Sequence, residues 1–470
     1  MAVPYIPTNE KSVVGGIHYD KVERGELSMT ETVTIQAPDI LREIELEKAA
    51  EAEAFTTNQQ FSITVKTAVL KEAVSRVVGT IAVRTSIPVL TGLYMKVDAD
   101  KITLRGSDGK ITTQTTLYCE PGICVVEGEE GGLVLPGKQF TDLLNKLTGA
   151  NTRIIVNGLK AKIKSKGAEV NMNCLHIDMY PQLREVHGSN SFQIPGDVLL
   201  MMYKRTEYAA SKNPNEKVLS GILHEIKDKQ FKTAATDRYR LAHQVYNLDG
   251  EVLDARITVP VETVAEVKRI LKSTPSAMAL IRFNDANVVY EIGNTKIYSA
   301  IYEAEYPDIS RLIPARFDSK IEISSSLLKE VLDRCNLFRD ITQDGVIAHV
   351  IINAKQNRMR VISAKTQEGN EFKEDTITQK GEGKDIVFSC NVRYLLEILN
   401  GLGTDEPIAI RYADPGMPII IQVANGLADN LDVVLPIRTN NQPNNTEIHD
   451  FSPTEAEFDP FTERVAAYDE

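Results

Sequence analysis

The sequence predicts an α+β chain of three repeated domains, each made of two β-α-β-β-β units, with the helices gathered on one side and the sheets on the other. Three observations predict it. A pattern recurs at roughly 125-residue intervals; the pattern recurs within each copy after about 65 residues; and the first two copies end in similar Tyr-Pro segments.

Each copy opens with an alternating strand-like run followed by an amphipathic helix. In the first these are Phe61-Ser-Ile-Thr-Val and Ala68-Val-Leu-Lys-Glu-Ala-Val-Ser-Arg-Val-Val78. The second has Ser191-Phe-Gln-Ile-Pro and Val198-Leu-Leu-Met-Met-Tyr-Lys-Arg205. The third has Lys320-Ile-Glu-Ile-Ser and Leu327-Leu-Lys-Glu-Val-Leu-Asp-Arg334. The signal returns in Leu133-Val-Leu-Pro-Gly-Lys-Gln-Phe, in Ile257-Thr-Val-Pro-Val-Glu-Thr-Val and in Ile386-Val-Phe-Ser-Cys-Asn-Val-Arg. Pro136 and Pro260 suit a first helical turn, where a missing N–H is harmless. Short alternating runs such as Ile102-Thr-Leu-Arg, broken by turns such as Asp108-Gly109, supply the remaining strands. Met179-Tyr-Pro-Gln-Leu closes the first copy and Glu305-Tyr-Pro-Asp-Ile closes the second. The expected organisation is therefore an acidic N-terminal extension (1–60), domain I (61–188), domain II (189–315), domain III (316–438) and a C-terminal tail (439–470).

Composition is that of a globular chain, and no apolar run approaches the ~18 residues of a membrane span. No basic-then-apolar leader opens the chain. The five cysteines are scattered without CxxC spacing, so they read as reduced, buried thiols of a cytoplasmic protein, with no zinc site. The net charge is −12, of which residues 1–60 carry −6 and residues 439–470 carry −7. Removing both leaves +1 for the body, so the acidic total says little about what the body binds. The six predicted helices and their flanks carry fourteen bases and nine acids. A diffuse excess of this kind attracts phosphates without register, as a sliding protein needs. On charge alone it reads equally well as ordinary solvated helix faces.

Three segments carry a resemblance. Thr233-Ala-Ala-Thr-Asp-Arg-Tyr-Arg-Leu-Ala242, Tyr306-Pro-Asp-Ile-Ser-Arg-Leu-Ile-Pro314 and Val433-Val-Leu-Pro-Ile-Arg438, set in a threefold repeat, closely resemble the bacterial DNA polymerase III β subunit family, the sliding clamps. The resemblance spans residues 61–438. It implies a head-to-tail homodimeric ring with helices inside and sheets outside, closed around duplex DNA without sequence preference. It also implies loading by an ATP-driven clamp loader and no cofactor. A peptide-binding cleft between domains II and III would tether the α-type polymerase subunit and other proteins bearing clamp-binding motifs.

Carried over by position, the cleft would use Leu219, Thr236, Arg240, Leu241, Pro307, Arg311, Leu312, Asn391, Tyr394, Pro418, Val433, Val434, Leu435, Pro436, Ile437 and Arg438. Aliphatic and proline side chains would form an apolar slot, and Arg240 and Asn391 would hold polar peptide atoms. Each aliphatic member reads alternatively as domain-boundary core. Arg238 and Tyr239 stand where the family often has Gly and His, and this chain continues past Arg438 where the family usually stops. Arg84 matches a DNA-contacting arginine, and Lys138, Arg205 and Lys268 are added from helix position. The subunit interface would set Leu337 and Phe338 against Val170 and Met172, or else Leu337 and Phe338 are plain core.

The tails lie outside the resemblance. Residues 38–53 read as an acidic helix, and Gln36-Ala-Pro-Asp-Ile-Leu41 is similar to the Gln-led peptides clamps bind. Residues 439–470, acidic and rich in Asn and Pro, predict disorder, with a candidate recruitment motif at Phe458-Asp-Pro-Phe461 and Tyr468. No enzyme is expected. Gly381-Glu-Gly-Lys384 lacks P-loop spacing and reads as a turn, and His224-Glu225 lacks a second zinc-binding His. The alternative function is a repeat-built scaffold that binds proteins without encircling DNA.

Overall fold

The computed structural model describes residues 59–438, apart from 184–185, 187–189, 251, 315, 339–344, 404 and 428, together with Phe451. The segments 36–41, 38–53 and 458–461 and Tyr468 lie outside the described residues.

Domain I comprises β1 (Gln60–Lys66), α1 (Thr67–Val78), β2 (Gly92–Val97), β3 (Lys101–Ser107), β4 (Ile111–Tyr118), β5 (Cys124–Gly128), β6 (Gly131–Pro136), α2 (Gly137–Lys146), β7 (Asn151–Asn157), β8 (Lys160–Ser165), β9 (Ala168–Asn173) and β10 (Leu175–His176). Domain II comprises β11 (Asn190–Pro195), α3 (Gly196–Thr206), β12 (Gly221–Lys227), β13 (Gln230–Thr236), β14 (Arg240–Asn247), β15 (Ala255–Pro260), α4 (Val261–Ser273), β16 (Met278–Phe283), β17 (Asn287–Ile292) and β18 (Thr295–Ala300). Domain III comprises β19 (Ser319–Ser324), α5 (Ser325–Cys335), β20 (Ile347–Asn353), β21 (Arg358–Ser363), β22 (Lys373–Ile377), β23 (Lys380–Glu382), β24 (Ile386–Asn391), α6 (Val392–Gly401), β25 (Pro407–Tyr412), β26 (Ile419–Val423) and β27 (Leu431–Val434). Each domain is thus a strand-helix-three-strand unit repeated twice. The small additions are β5, β10 and β23, the last formed where a turn was expected and followed by Gly383 at φ +97°.

The helices form where apolar residues fall at three- and four-residue spacing. α1 buries Thr67, Leu70, Ala73, Val74 and Val77, and α4 buries Val264, Val267, Ile270 and Leu271. Pro136 and Pro260 sit one position before the first turn, as N-caps that still belong to the preceding strand. Their fixed φ (−58° and −54°) suits the extended backbone there, and no helical N–H is lost. α5 and α6 are capped by side chains instead: Ser324 Oγ accepts from the Leu327 amide and Asn391 Oδ1 from the Arg393 amide.

Two nine-stranded sheets cross the domain boundaries. One runs β10-β6-β2-β3-β4-β18-β17-β16-β11, and joins domains I and II where β4 pairs antiparallel with β18 (Thr113 opposite Ile297). The other runs β15-β12-β13-β14-β27-β26-β25-β19-β23, and joins domains II and III where β14 pairs with β27 (Leu241 opposite Val433). Two smaller sheets, β5-β1-β7-β8-β9 and β22-β21-β20-β24, end within domains I and III. Each domain fills its own apolar core between helices and sheets.

Two satellite clusters lie on the opposite, outer sheet faces. Tyr180, in the segment leaving domain I, packs with Val89, Leu90, Tyr94 and Val134, its ring 5.3 Å from that of Tyr94. Tyr306, in the segment leaving domain II, packs with Leu219, Leu223, Ala234, Leu241 and Val433, and its hydroxyl accepts from the Thr236 amide at 3.0 Å. The similar Tyr-Pro endings therefore share one task, covering the outer face of the domain just completed.

His224 is a core residue. Its Nδ1 lies 3.0 Å from the Ile222 carbonyl, which can only accept, so Nδ1 carries the proton. Nε2 then faces the Tyr203 hydroxyl at 2.7 Å. Burial holds the imidazole down at about 4. The unfolded chain takes up this proton near pH 6.5 and the folded one only near 4, so stability is complete above 6.5 and falls as pH drops towards 4. We expect this group to cost roughly 2 kcal/mol between pH 7.5 and 5. Urea unfolding of wild type and His224→Gln at both pH values measures it, and the variant should show a correspondingly smaller acid loss.

Candidate functional site

The predicted cleft residues fall around the β14–β27 seam. A cavity of about 740 Å³ opens between the 214–219 loop, the end of β13 and the segment 305–312, lined by Leu219, Thr236, Pro307 and Leu312 among others. Arg311 projects into solvent beside Leu312. Leu241 and Val433 are buried in the cluster to which Leu219 belongs and against which Leu312 packs, and Val434 in the domain III core, so these three support the site rather than offer contact surface. Tyr394, Pro418, Leu435, Pro436 and Ile437 are half-buried on the domain III side and Arg438 is exposed; none of them lines the cavity.

Two expected roles are corrected. Arg240 is only 3% exposed and its guanidinium is already satisfied. Nε donates to Asp237 Oδ2 at 2.9 Å, Nη2 to the Tyr208 carbonyl at 2.6 Å, and Nη1 to Glu397. The Tyr394 ring lies 4.5 Å from its central carbon. Such a group ties domain II to domain III, and its burial rather than a lack of donors keeps it from a peptide. Asn391 likewise spends its Oδ1 on the α6 cap. Nearby Asp432 is buried against the Tyr208 hydroxyl; desolvation pushes its carboxyl up to about 7, against the pull of that hydrogen bond and of Arg205.

The basic positions divide. Arg84, in the loop before β2, and Lys138, in the first turn of α2, are exposed. Arg205 and Lys268 are not free to meet DNA. Arg205 donates to Glu406 of domain III at 3.1 Å, and Lys268 is buried in an ion pair with Glu207. Exposed bases that position alone did not single out are Lys146, Lys204 and Lys272, in the last turns of α2, α3 and α4. A base in a last turn is favoured by the helix dipole, a signal that was available in the sequence.

Of the residues expected at a subunit interface, Leu337 is 78% exposed and Phe338 packs against Phe372 with ring centres 5.6 Å apart. Val170 lies on β9 and borders the domain I core, whereas Met172 belongs to that core and offers little contact surface. Ile377, on β22, is also exposed (46%), although its Thr-Ile-Thr context reads as an ordinary alternating strand.

Family models describing the N-terminal, central and C-terminal domains of the DNA polymerase III beta subunit match residues 60–184, 193–308 and 310–438. The chain belongs to this family. It is 28% identical to the beta sliding clamp of Staphylococcus epidermidis over 368 residues, 76% of this chain and 94% of the relative. It is 27% identical to that of Bacillus subtilis over 375 residues, 79% and 97% of the two chains. The crystal structure of the Bacillus subtilis DNA polymerase sliding clamp superposes with a TM-score of 0.76 at 25% identity, covering 81% of this chain and all of that one. A beta sliding clamp is a processivity factor on DNA and not an enzyme, and that is the function of this chain.

Within this clamp, the cavity rim departs from the family pattern at Arg238. Its backbone is left-handed (φ +75°), a region that suits glycine. It is held there because its amide donates to Thr236 Oγ1 at 3.1 Å and its guanidinium meets Glu216 at 3.1 Å across the cavity mouth. Glu216 was missed, although the Asn213-Pro-Asn-Glu216 turn marked the loop. We expect Arg238→Gly to leave the urea midpoint unchanged or raised, and Arg238→Val to lower stability by about 1–2 kcal/mol through backbone strain.

Proposed function

We propose that two copies of the chain close head to tail around duplex DNA and tether the α-type polymerase subunit, and other motif-bearing proteins, through the cavity beside Leu219 and Leu312. One observation carries the ring: the pattern of strand edges. Domain I joins domain II by the last strand of its first unit (β4) against the last strand of domain II's second unit (β18). Domain II joins domain III in the same way, β14 against β27. The rule leaves the last strand of domain III's first unit, β22, and the last strand of domain I's second unit, β9, at the ends of their sheets. Pairing β22 of one copy with β9 of the next repeats the same joint and covers both of these edges. Exposed Leu337 and Ile377, with half-buried Val170, supply apolar surface near those edges.

DNA is then retained by topology. The exposed bases Arg84, Lys138, Lys146, Lys204 and Lys272 are spread over several elements, as expected of weak phosphate attraction without base reading. The cavity fits an apolar anchor with polar atoms at its rim, the usual form of a peptide groove. A clamp loader would open the ring for loading. The scaffold alternative shares the cavity but does not need the matched edges.

Three outcomes are expected. Protein loaded by a clamp loader on nicked circular DNA should stay bound until the circle is cut, then slide off; equal retention before and after linearisation refutes the topological reading. Leu337→Lys combined with Ile377→Lys should shift sedimentation from dimer to monomer, and an unchanged dimer would remove the β22–β9 joint. Leu312→Asp should weaken binding of a polymerase-derived peptide at least about tenfold, with the urea midpoint held, since Leu312 is only half-buried.

A further inference from the structure

The outer faces of domains I and II are covered by the segments that leave them, through Tyr180 and Tyr306. In domain III the family match ends at Arg438. Yet the outer face of its β22-β21-β20-β24 sheet is also out of solvent. Arg360 and Ile351 are 0% exposed, and His349, Ile362 and Ser389 are buried. None of these five belongs to the domain III core, which takes the alternate residues Ala348, Val350, Met359, Val361 and Phe388. The described group seated on this face is Phe451, whose ring lies 4.7 Å from the guanidinium carbon of Arg360. The chain leaving β27 is already directed there, since the Ile437 amide donates to the Ser389 carbonyl of β24 at 2.7 Å. Twelve residues lie between Arg438 and Phe451, enough for about 40 Å of extended chain.

We propose that Phe451 anchors a C-terminal strap over this face of domain III, the counterpart of Tyr180 and Tyr306 on the other two domains. The occupant of this face is the chain's own C-terminal segment. The stack on Phe451 is a cation–π contact with a desolvated arginine, where such contacts are strongest. Arg360 also reaches the strand at the sheet's end: Nη2 donates to Asp375 Oδ2 at 2.8 Å and Nε to Asp375 Oδ1. Asp375 lies on β22, the strand assigned above to ring closure. The strap therefore braces that strand through Phe451, Arg360 and Asp375. This last consequence rests on the ring reading; the strap itself does not.

Hydrogen exchange on the full chain, Phe451→Ala, Phe451→Tyr and a chain ending at Arg438 tests the strap, since the last keeps every strand and helix of the three domains. Peptides covering 347–377 should exchange at least about tenfold faster in Phe451→Ala and in the shortened chain. Phe451→Tyr, which keeps the aromatic face, should match wild type, and peptides covering 151–173 should not change. Equal exchange over 347–377 in all four proteins overturns the strap. The same variants on nicked circular DNA separate the two readings. Lost protection with no topological retention in any variant upholds the strap and removes the ring, whereas retention with unchanged protection does the reverse.

Discussion

Strand edges are the constraint on which this molecule depends. A sheet edge presents a row of unpaired backbone donors and acceptors, and a chain built from six similar units makes many of them. Here the units answer one another's edges, β4 against β18 and β14 against β27, so that two sheets run unbroken across domain boundaries. Backbone pairing sets the register, and alternate side chains then fall into the cores on one face and the covering clusters on the other. The relative placement of neighbouring domains follows from a ladder rather than from a flexible linker.

Side chains reinforce those joints. Between domains I and II, Glu266 of α4 accepts from Thr113 of β4 at 2.8 Å, while Arg269 donates to the Ser75 carbonyl at the end of α1. Between domains II and III, Arg205 holds Glu406 and Arg240 holds Glu397. Removing a partner of a buried charge is costly, so Arg240 in particular favours one domain angle over its neighbours. Bases committed to joints cannot also grip phosphate. The body is left with scattered exposed lysines, compatible with holding DNA by enclosure while letting it pass.

The segments between domains serve twice. The stretch carrying Tyr306 seals the outer face of domain II, and a few residues on, Pro307 and Leu312 wall the cavity. Covering the sheet and walling the cavity are one act of packing within domain II. Phe451 extends the same logic to domain III, where it meets a buried arginine.

Much of this was legible in the residues. The double repeat, the two units per domain and the apolar faces of the helices follow from periodicities of two and 3.6, which are local properties of the chain. The cavity-lining Leu219, Thr236, Pro307 and Leu312 stood in segments whose pattern resembles a known family. What sequence could not reveal was the state of each polar side chain. Arg205, Arg240 and Lys268 have the composition of a binding surface, but their partners Glu406, Glu397 and Glu207 come from elsewhere in the chain, and only folding brings them within hydrogen-bond reach. Which edges remain at the ends of the sheets, and which aromatic covers which face, are likewise long-range facts. They depend on pairings between residues up to about two hundred positions apart, and the tertiary structure alone decides those.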